Sequence, residues 1–346
     1  MCREVGAHLI GSVALADTKA VMRTVAAELG PYLRRIPDGE TGARGRWIWW
    51  QRQMLLDHPD MELDPQAKPL RLTQWDGTLI RETELVRFRP GADPGLTKFD
   101  TGYAPVAIES YAVFCRLRAE GVIPAGVRFQ VCLPTPMASA FMYVAPASIP
   151  DYLPAYERAL LKALSDIVAA IPDRDLSIQW DICQEVLVWE GYFPWRPTDY
   201  QRQILDGMGR LGNAVPAGVE CGYHLCYGTP KDEHLVMPRD LGVCVDMTEG
   251  FVARLHRPLD FLHLPVPRDR IDDAYFAPLG RLKLDAATQL YLGLIHFDDL
   301  AGDKARIAAA KRHWPRFGVA TECGWGRSDP ARVPGLLKSH RLALEE

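Results

Sequence analysis

No stretch of the 346 residues approaches the roughly 18–20 consecutive apolar residues that a membrane-crossing helix requires. Lysine- and arginine-rich runs are missing too. The chain carries 40 basic against 44 acidic residues, a formal charge of −4, which argues against a nucleic-acid or membrane-surface partner. Its eight cysteines, Cys2, Cys115, Cys132, Cys183, Cys221, Cys226, Cys244 and Cys323, are scattered and do not form the close pattern of a disulfide framework. A reducing, cytoplasmic compartment is therefore expected. Repeats and low-complexity segments are absent. So is any glycine-rich dinucleotide fingerprint after the first apolar run, which counts against an open doubly wound sheet.

What remains is an ordinary globular composition, 48% hydrophobic and 24% charged, with a regular alternation of short apolar runs and helical patterns. Strands are expected at 6–13, 32–37, 127–133, 176–182, 219–225, 259–266, 290–297 and 317–324. The first, within "VGAHLIGSVALAD", has the look of a short signal-peptide core. Glu4 dilutes its basic start and His8 interrupts its apolar run, so it reads as a buried strand. Helical patterns fall between most strands; the one opening at Asp17 closes on Gly30. Eight strands alternating with helices predict an α/β fold, a (β/α)8 TIM barrel formed by residues 1–346 as one domain. Residues 57–126 break the rhythm between the second and third strands. They are expected to hold a β-hairpin turning near Trp75-Asp76-Gly77, as a lid, a subunit contact in a homo-oligomer or a docking element.

In such barrels the chemistry sits at the C-terminal ends of the strands. Here those ends read Ser12, Asp38 and Glu40, Asp181, His224 and Cys226, His263, His296 and Cys323. Alternate residues of a strand share a face, so the "GYHLCYG" segment presents His224 and Cys226 together. With Cys323 they make three zinc ligands of the usual types, and three protein ligands with an open position is the catalytic arrangement. Such a site suits the activation of a substrate thiol as thiolate. Taken singly, each of these residues reads more simply as buried packing. Trp47, Trp49 and Trp50 read as packing residues, with Arg44 and Arg46 beside them as candidates for an anionic substrate.

These segments resemble the catalytic barrel of cobalamin-independent methionine synthases. "GYHLCYG" and "ECGWGR" are similar to that family's two zinc segments, "HLIGSV" to its first strand, and "AAELGPYLRRIPDGETG", "IQWDICQEV" and "GLIHFDD" to its substrate-binding and reacting-centre segments. The resemblance implies Zn²⁺ at His224, Cys226 and Cys323. It further implies Glu40 and Asp181 holding the amine of a thiol such as homocysteine, Ser12 near its carboxylate, and His296 protonating the leaving group. The function it implies is transfer of an alkyl group, most simply methyl, to a zinc-held thiolate.

Two departures stand out. The family's glutamate ligand on the sixth strand is replaced at "FLHLPVPR", where Pro265 takes its place and His263 becomes a candidate fourth ligand. The 346 residues accommodate one barrel, so the donor is open between a folate and a corrinoid protein. Other readings of the same residues are a C–S lyase or dealkylase, an epoxide-opening thiol transferase, a metal-free decarboxylase of the uroporphyrinogen type, and a non-catalytic protein with a structural zinc.

Overall fold

The computed structural model describes residues 2–230 and 233–345. Its main sheet is parallel and has seven strands: β1 (Arg35–Pro37), β6 (Arg128–Pro134), β7 (Leu176–Ile182), β8 (Glu220–Leu225), β9 (Phe261–Pro265), β10 (Gln289–Ile295) and β11 (Gly318–Thr321), adjacent in that order. β7 is buried along its whole length and β10 along all but its first residue, as expected of strands covered on both faces. The helices between them bury one stripe each. Helix Thr18–Leu29, capped by Asp17 accepting from the Ala20 amide at 2.8 Å, turns Val21, Met22, Val25 and Leu29 inward.

The expected eighth strand, 6–13, is not one. It contributes two isolated bridges from Ala7, to Leu33 beside β1 and to Val319 of β11. Backbone bonds support both: Ala7 N–H to Tyr32 O at 3.0 Å and His8 N–H to Val319 O at 2.9 Å. Pairing is confined to the residues beside Gly6, which turns with φ +93° so close to the chain that a Cβ would stand 2.1 Å from Tyr32 O. The segment nonetheless lies between the first and last strands of the sheet.

The 57–126 interval contains two small antiparallel pairs, β2 (Met61–Leu63) with β5 (Val86–Phe88), and β3 (Leu70–Thr73) with β4 (Leu79–Thr83). The β3–β4 hairpin turns through Trp75-Asp76-Gly77, with the Gly77 amide donating to Gln74 O at 2.9 Å. Helix Tyr103–Ala119 then leads back to β6.

Candidate metal and substrate site

Sheet register places the chemistry. Pro134 of β6 pairs with Asp181 of β7, Asp181 with His224 of β8, and His224 with His263 of β9, so one row across four strands carries three polar side chains. Cys226 follows two residues after His224. Cys323 arrives from the turn after β11. The metal-binding atoms of His224, Cys226 and Cys323 all lie within 4.8 Å of one another, the one such group of three among the described residues.

Hydrogen bonding fixes the tautomers. His263 Nε2 lies 3.0 Å from the Thr321 carbonyl and must donate to it. The other nitrogen of neutral His263 is then an acceptor, and His224 Nδ1 donates to it at 2.8 Å. His224 Nε2 is left with its lone pair, buried and without a hydrogen-bond partner. A metal is the acceptor of lone pairs that such a nitrogen lacks, so these residues fit Zn²⁺. Both nitrogens of His263 are engaged, and it orients His224; the expectation of His263 as fourth ligand gives way to that role.

The turn bearing Cys323 is clamped. Thr321 Oγ1 donates to Cys323 O at 2.7 Å and accepts from Trp325 Nε1 at 2.6 Å. Ser12 takes the other side, its carbonyl accepting from the Trp325 amide at 2.7 Å and its hydroxyl from the Gly326 amide at 3.1 Å. The hydroxyl of Ser12 thus already has a structural bond. Hydrogen bonding from Cys226 holds the Cys323 thiol well below the usual thiol range, and the Arg327 guanidinium, 3.5 Å from its sulfur, acts the same way. Cys226 is pushed up in turn, chiefly by its contacts with Cys183 and Cys323.

Beside this cluster opens a cavity of about 550 Å³, lined by all three residues together with Ser12, Glu40 and Asp181. Asp181 accepts from Gln179 Nε2 at 2.8 Å and from Trp47 Nε1 at 3.2 Å. Burial raises its carboxyl to about 8. Burial, and then the neighbouring Asp181, raises Glu40 well above the carboxylate range. Neither has a cationic side chain bonded to it among the described residues; Arg44, bonded to Asp38, offsets the rise at Glu40 only in part. Gly11 leaves room for Glu40: a Cβ there would lie 3.3 Å from its Oε2. Glu40 (φ 45°) and Trp47 (φ 50°) are two of three non-glycine residues with positive φ among the described residues, and both line this cavity. Held strain of this kind accompanies functional positions.

Trp47 was expected to be packing alone; its indole N–H on Asp181 makes it part of the site, a bond that local spacing does not reveal. Two more residues went unnoticed in the sequence. His234 and Glu322 form a buried ion pair at 2.9 Å in a second cavity of about 490 Å³, which shares Cys323, Thr229 and Gly324 with the first. His296 lies in this second cavity. Burial drops its imidazole to about 4, and its Nε2 donates to Val266 O at 2.9 Å, so it is neutral near pH 7. Although burial works against it, the neighbouring Glu322 carboxylate raises His234 above the usual imidazole range. The hairpin reaches both spaces, with Leu72, Ile80 and Arg81 on the first and Trp75 on the second.

No family model and no curated protein sequence matches the chain. Among solved structures, it is similar to a B12-independent methionine synthase from Shewanella sp. W3-18-1 in complex with selenomethionine. Identity is 13%, the match covers 95% of this chain and 86% of that one, and the TM-score is 0.55. It is also similar to a protein from Listeria monocytogenes described as a candidate vitamin-B12-independent methionine synthase. There identity is 15%, coverage 95% and 85%, and the TM-score 0.52. At these identities the likeness shows a shared fold, and that fold agrees with the family whose motifs the sequence resembles.

Proposed function

We propose that the protein is a zinc-dependent transferase that moves an alkyl group, most simply methyl, onto a substrate thiol. We also infer that 6–13 closes the seven-stranded sheet into an eight-stave barrel, which sets the strand ends around the cavity. The observation that carries the functional reading is the unpartnered lone pair of His224 Nε2, converging with Cys226 and Cys323 on the wall of a cavity that also holds two cation-free carboxyls.

His224, Cys226 and Cys323 would hold the metal. Bound zinc supplies a lowered thiol pKa, so that a substrate thiol is present as thiolate near neutral pH. The chain's own residues do the rest. Glu40 and Asp181 receive an ammonium group, whose charge lets both ionise, and so fix the thiol's orientation. Trp47 holds Asp181 in place. The Shewanella relative, which binds selenomethionine, supports an amino-acid ligand for this cavity. In the reaction the thiol loses its proton, sulfur forms the bond to carbon, and the donor's leaving atom departs with the electron pair. Neutral His296 is a poor source of a proton for that atom.

Elemental analysis of the protein purified without chelator tests the reading. About one zinc per chain is expected in the wild type, with loss in both Cys226→Ser and Cys323→Ser. Protein free of zinc, with both variants unchanged, would sink it.

A further inference from the structure

The thiol cavity has a second unsatisfied feature, of opposite charge to the carboxyl pair. Arg46, on the turn before helix Trp49–Asp57, and Arg81, on β4, line it beside Trp47 and Met142. Arg52, on that helix, and Arg81 both place a guanidinium over the ring of Trp49, at 5.8 and 3.9 Å. The Tyr143 ring meets Trp49 edge-on at 6.2 Å. Around one indole, then, Arg52 Nε and Arg81 Nε are buried without a well-aligned acceptor, and the buried Tyr143 hydroxyl has the Arg81 guanidinium beside it.

Buried donors without acceptors are rare, and cations of like sign repel one another at this range. Among the described residues no carboxylate lies within ion-pairing distance of Arg46, Arg52 or Arg81, whereas Arg44 close by is paired to Asp38 at 2.6 Å. The cavity's own acids do not neutralise them, since burial keeps Asp181 and Glu40 largely protonated. Burial also lowers Arg81 from its ordinary value; the hydrogen bond with Tyr143 works against this, and Arg46 and Arg52 add to the lowering. What the cluster lacks is an anion with several acceptor atoms.

We propose that Arg81, with Arg52, Arg46 and Tyr143 around it, is an oxyanion subsite that binds a carboxylate, sulfonate or phosphoryl group of the reactant occupying the cavity. This deepens the reading above by assigning that reactant a negative end, and rests on it only for the cavity's role. An oxyanion in the cavity fits the planar fork of the Arg81 guanidinium bidentately, which gives its Nε an acceptor, while Arg46 on the same wall and Arg52 behind add positive charge. The subsite stands partly on the β3–β4 hairpin, so the inserted segment takes part in recognition.

The test uses the protein as purified, at constant ionic strength, with tryptophan fluorescence as the readout. Butyrate, propanesulfonate and propyl phosphate are titrated against neutral butyramide, and zinc is measured on the same samples. At least one acid should bind about tenfold tighter than the amide. The three acids distinguish which oxyanion is preferred. Arg81→Gln should remove most of that preference while leaving zinc content unchanged, and Arg81→Lys should retain part of it. Acids that bind no better than butyramide, or a preference that survives in Arg81→Gln, would overturn the proposal. A preference found in zinc-free protein would uphold the subsite while the alkyl-transfer reading fell.

Discussion

Arg35 is buried and Arg81 half-buried, and the surroundings of the two guanidinium groups are built on opposite principles. Arg35, at the start of β1 and 1% exposed, donates to Glu220 at 3.2 Å, Tyr291 at 3.3 Å and Gln289 at 2.8 Å, and stacks on Phe261 at 4.0 Å. Its partners are themselves engaged: Tyr291 donates to Gln289 at 2.9 Å, and Arg128 approaches Glu220 at 3.3 Å. Arg81, at the cavity, shares an indole with another cation and leaves its Nε without an acceptor. A polar network that is complete within the chain is structural. One that is incomplete waits for something outside it. The same contrast separates Asp175, chelated by Arg118 at 2.7 Å and held down to about 2, from Asp181, raised by burial to about 8.

The largest effect that would sharpen this contrast is expected at Arg35. Replacing it with methionine keeps much of the volume but takes from the Glu220 carboxylate one of its two arginines and from Gln289 and Tyr291 their buried cationic donor. Breaking a buried, hydrogen-bonded ion pair from one side costs about 3–5 kcal/mol. Urea unfolding of Arg35→Met should show a loss of that order; a loss below about 1 kcal/mol would mean the network is not the structural element described.

A smaller effect is expected at His263, which stands between the two kinds of network. It is fully bonded, to Thr321 O and to His224, yet its purpose is to leave one nitrogen of His224 free. His263→Phe removes that orientation without removing a ligand, so zinc affinity should fall about 10- to 100-fold with the stoichiometry recovered at saturating zinc. Competition against a chelating dye reads this directly. If stoichiometry were lost outright, as expected for the cysteine variants, His263 would be a ligand after all.

How much of this was legible beforehand follows from the range of the interactions. The run 176–182 and strand β7 coincide because Leu176, Ile178, Trp180 and Ile182 alternate with Ser177, Gln179 and Asp181, the period of two that a strand imposes. The hairpin was legible because Trp75-Asp76-Gly77 announces its turn. The segment 6–13 has the same apolar pattern but not the strand, since periodicity does not register the backbone turn at Gly6. In the site, His224 and Cys226 share a strand face and could be paired by eye. The choice of His263 as orienting group depended on a tautomer chain that ends at a carbonyl on another strand. The pairing of His234 with Glu322, and of Trp47 with Asp181, joins segments far apart in the chain and has no local signature.

The smallest expected effect is the most discriminating, because it is close to zero where intuition predicts a loss. Arg81→Gln deletes a half-buried charged side chain that packs on Trp49, and a cation over an indole contributes about 0.5–1 kcal/mol. The Arg81–Tyr143 contact is weakened as well, and against both losses stands the relief of like charge from Arg46 and Arg52. These contributions oppose each other at similar size, so stability by urea unfolding should stay within about 0.5 kcal/mol of the wild type. A loss near that of Arg35→Met would show that Arg81 has a partner within the chain and belongs with the structural arginine. Near-neutral stability, together with lost oxyanion preference, would mark it as a residue kept for a ligand.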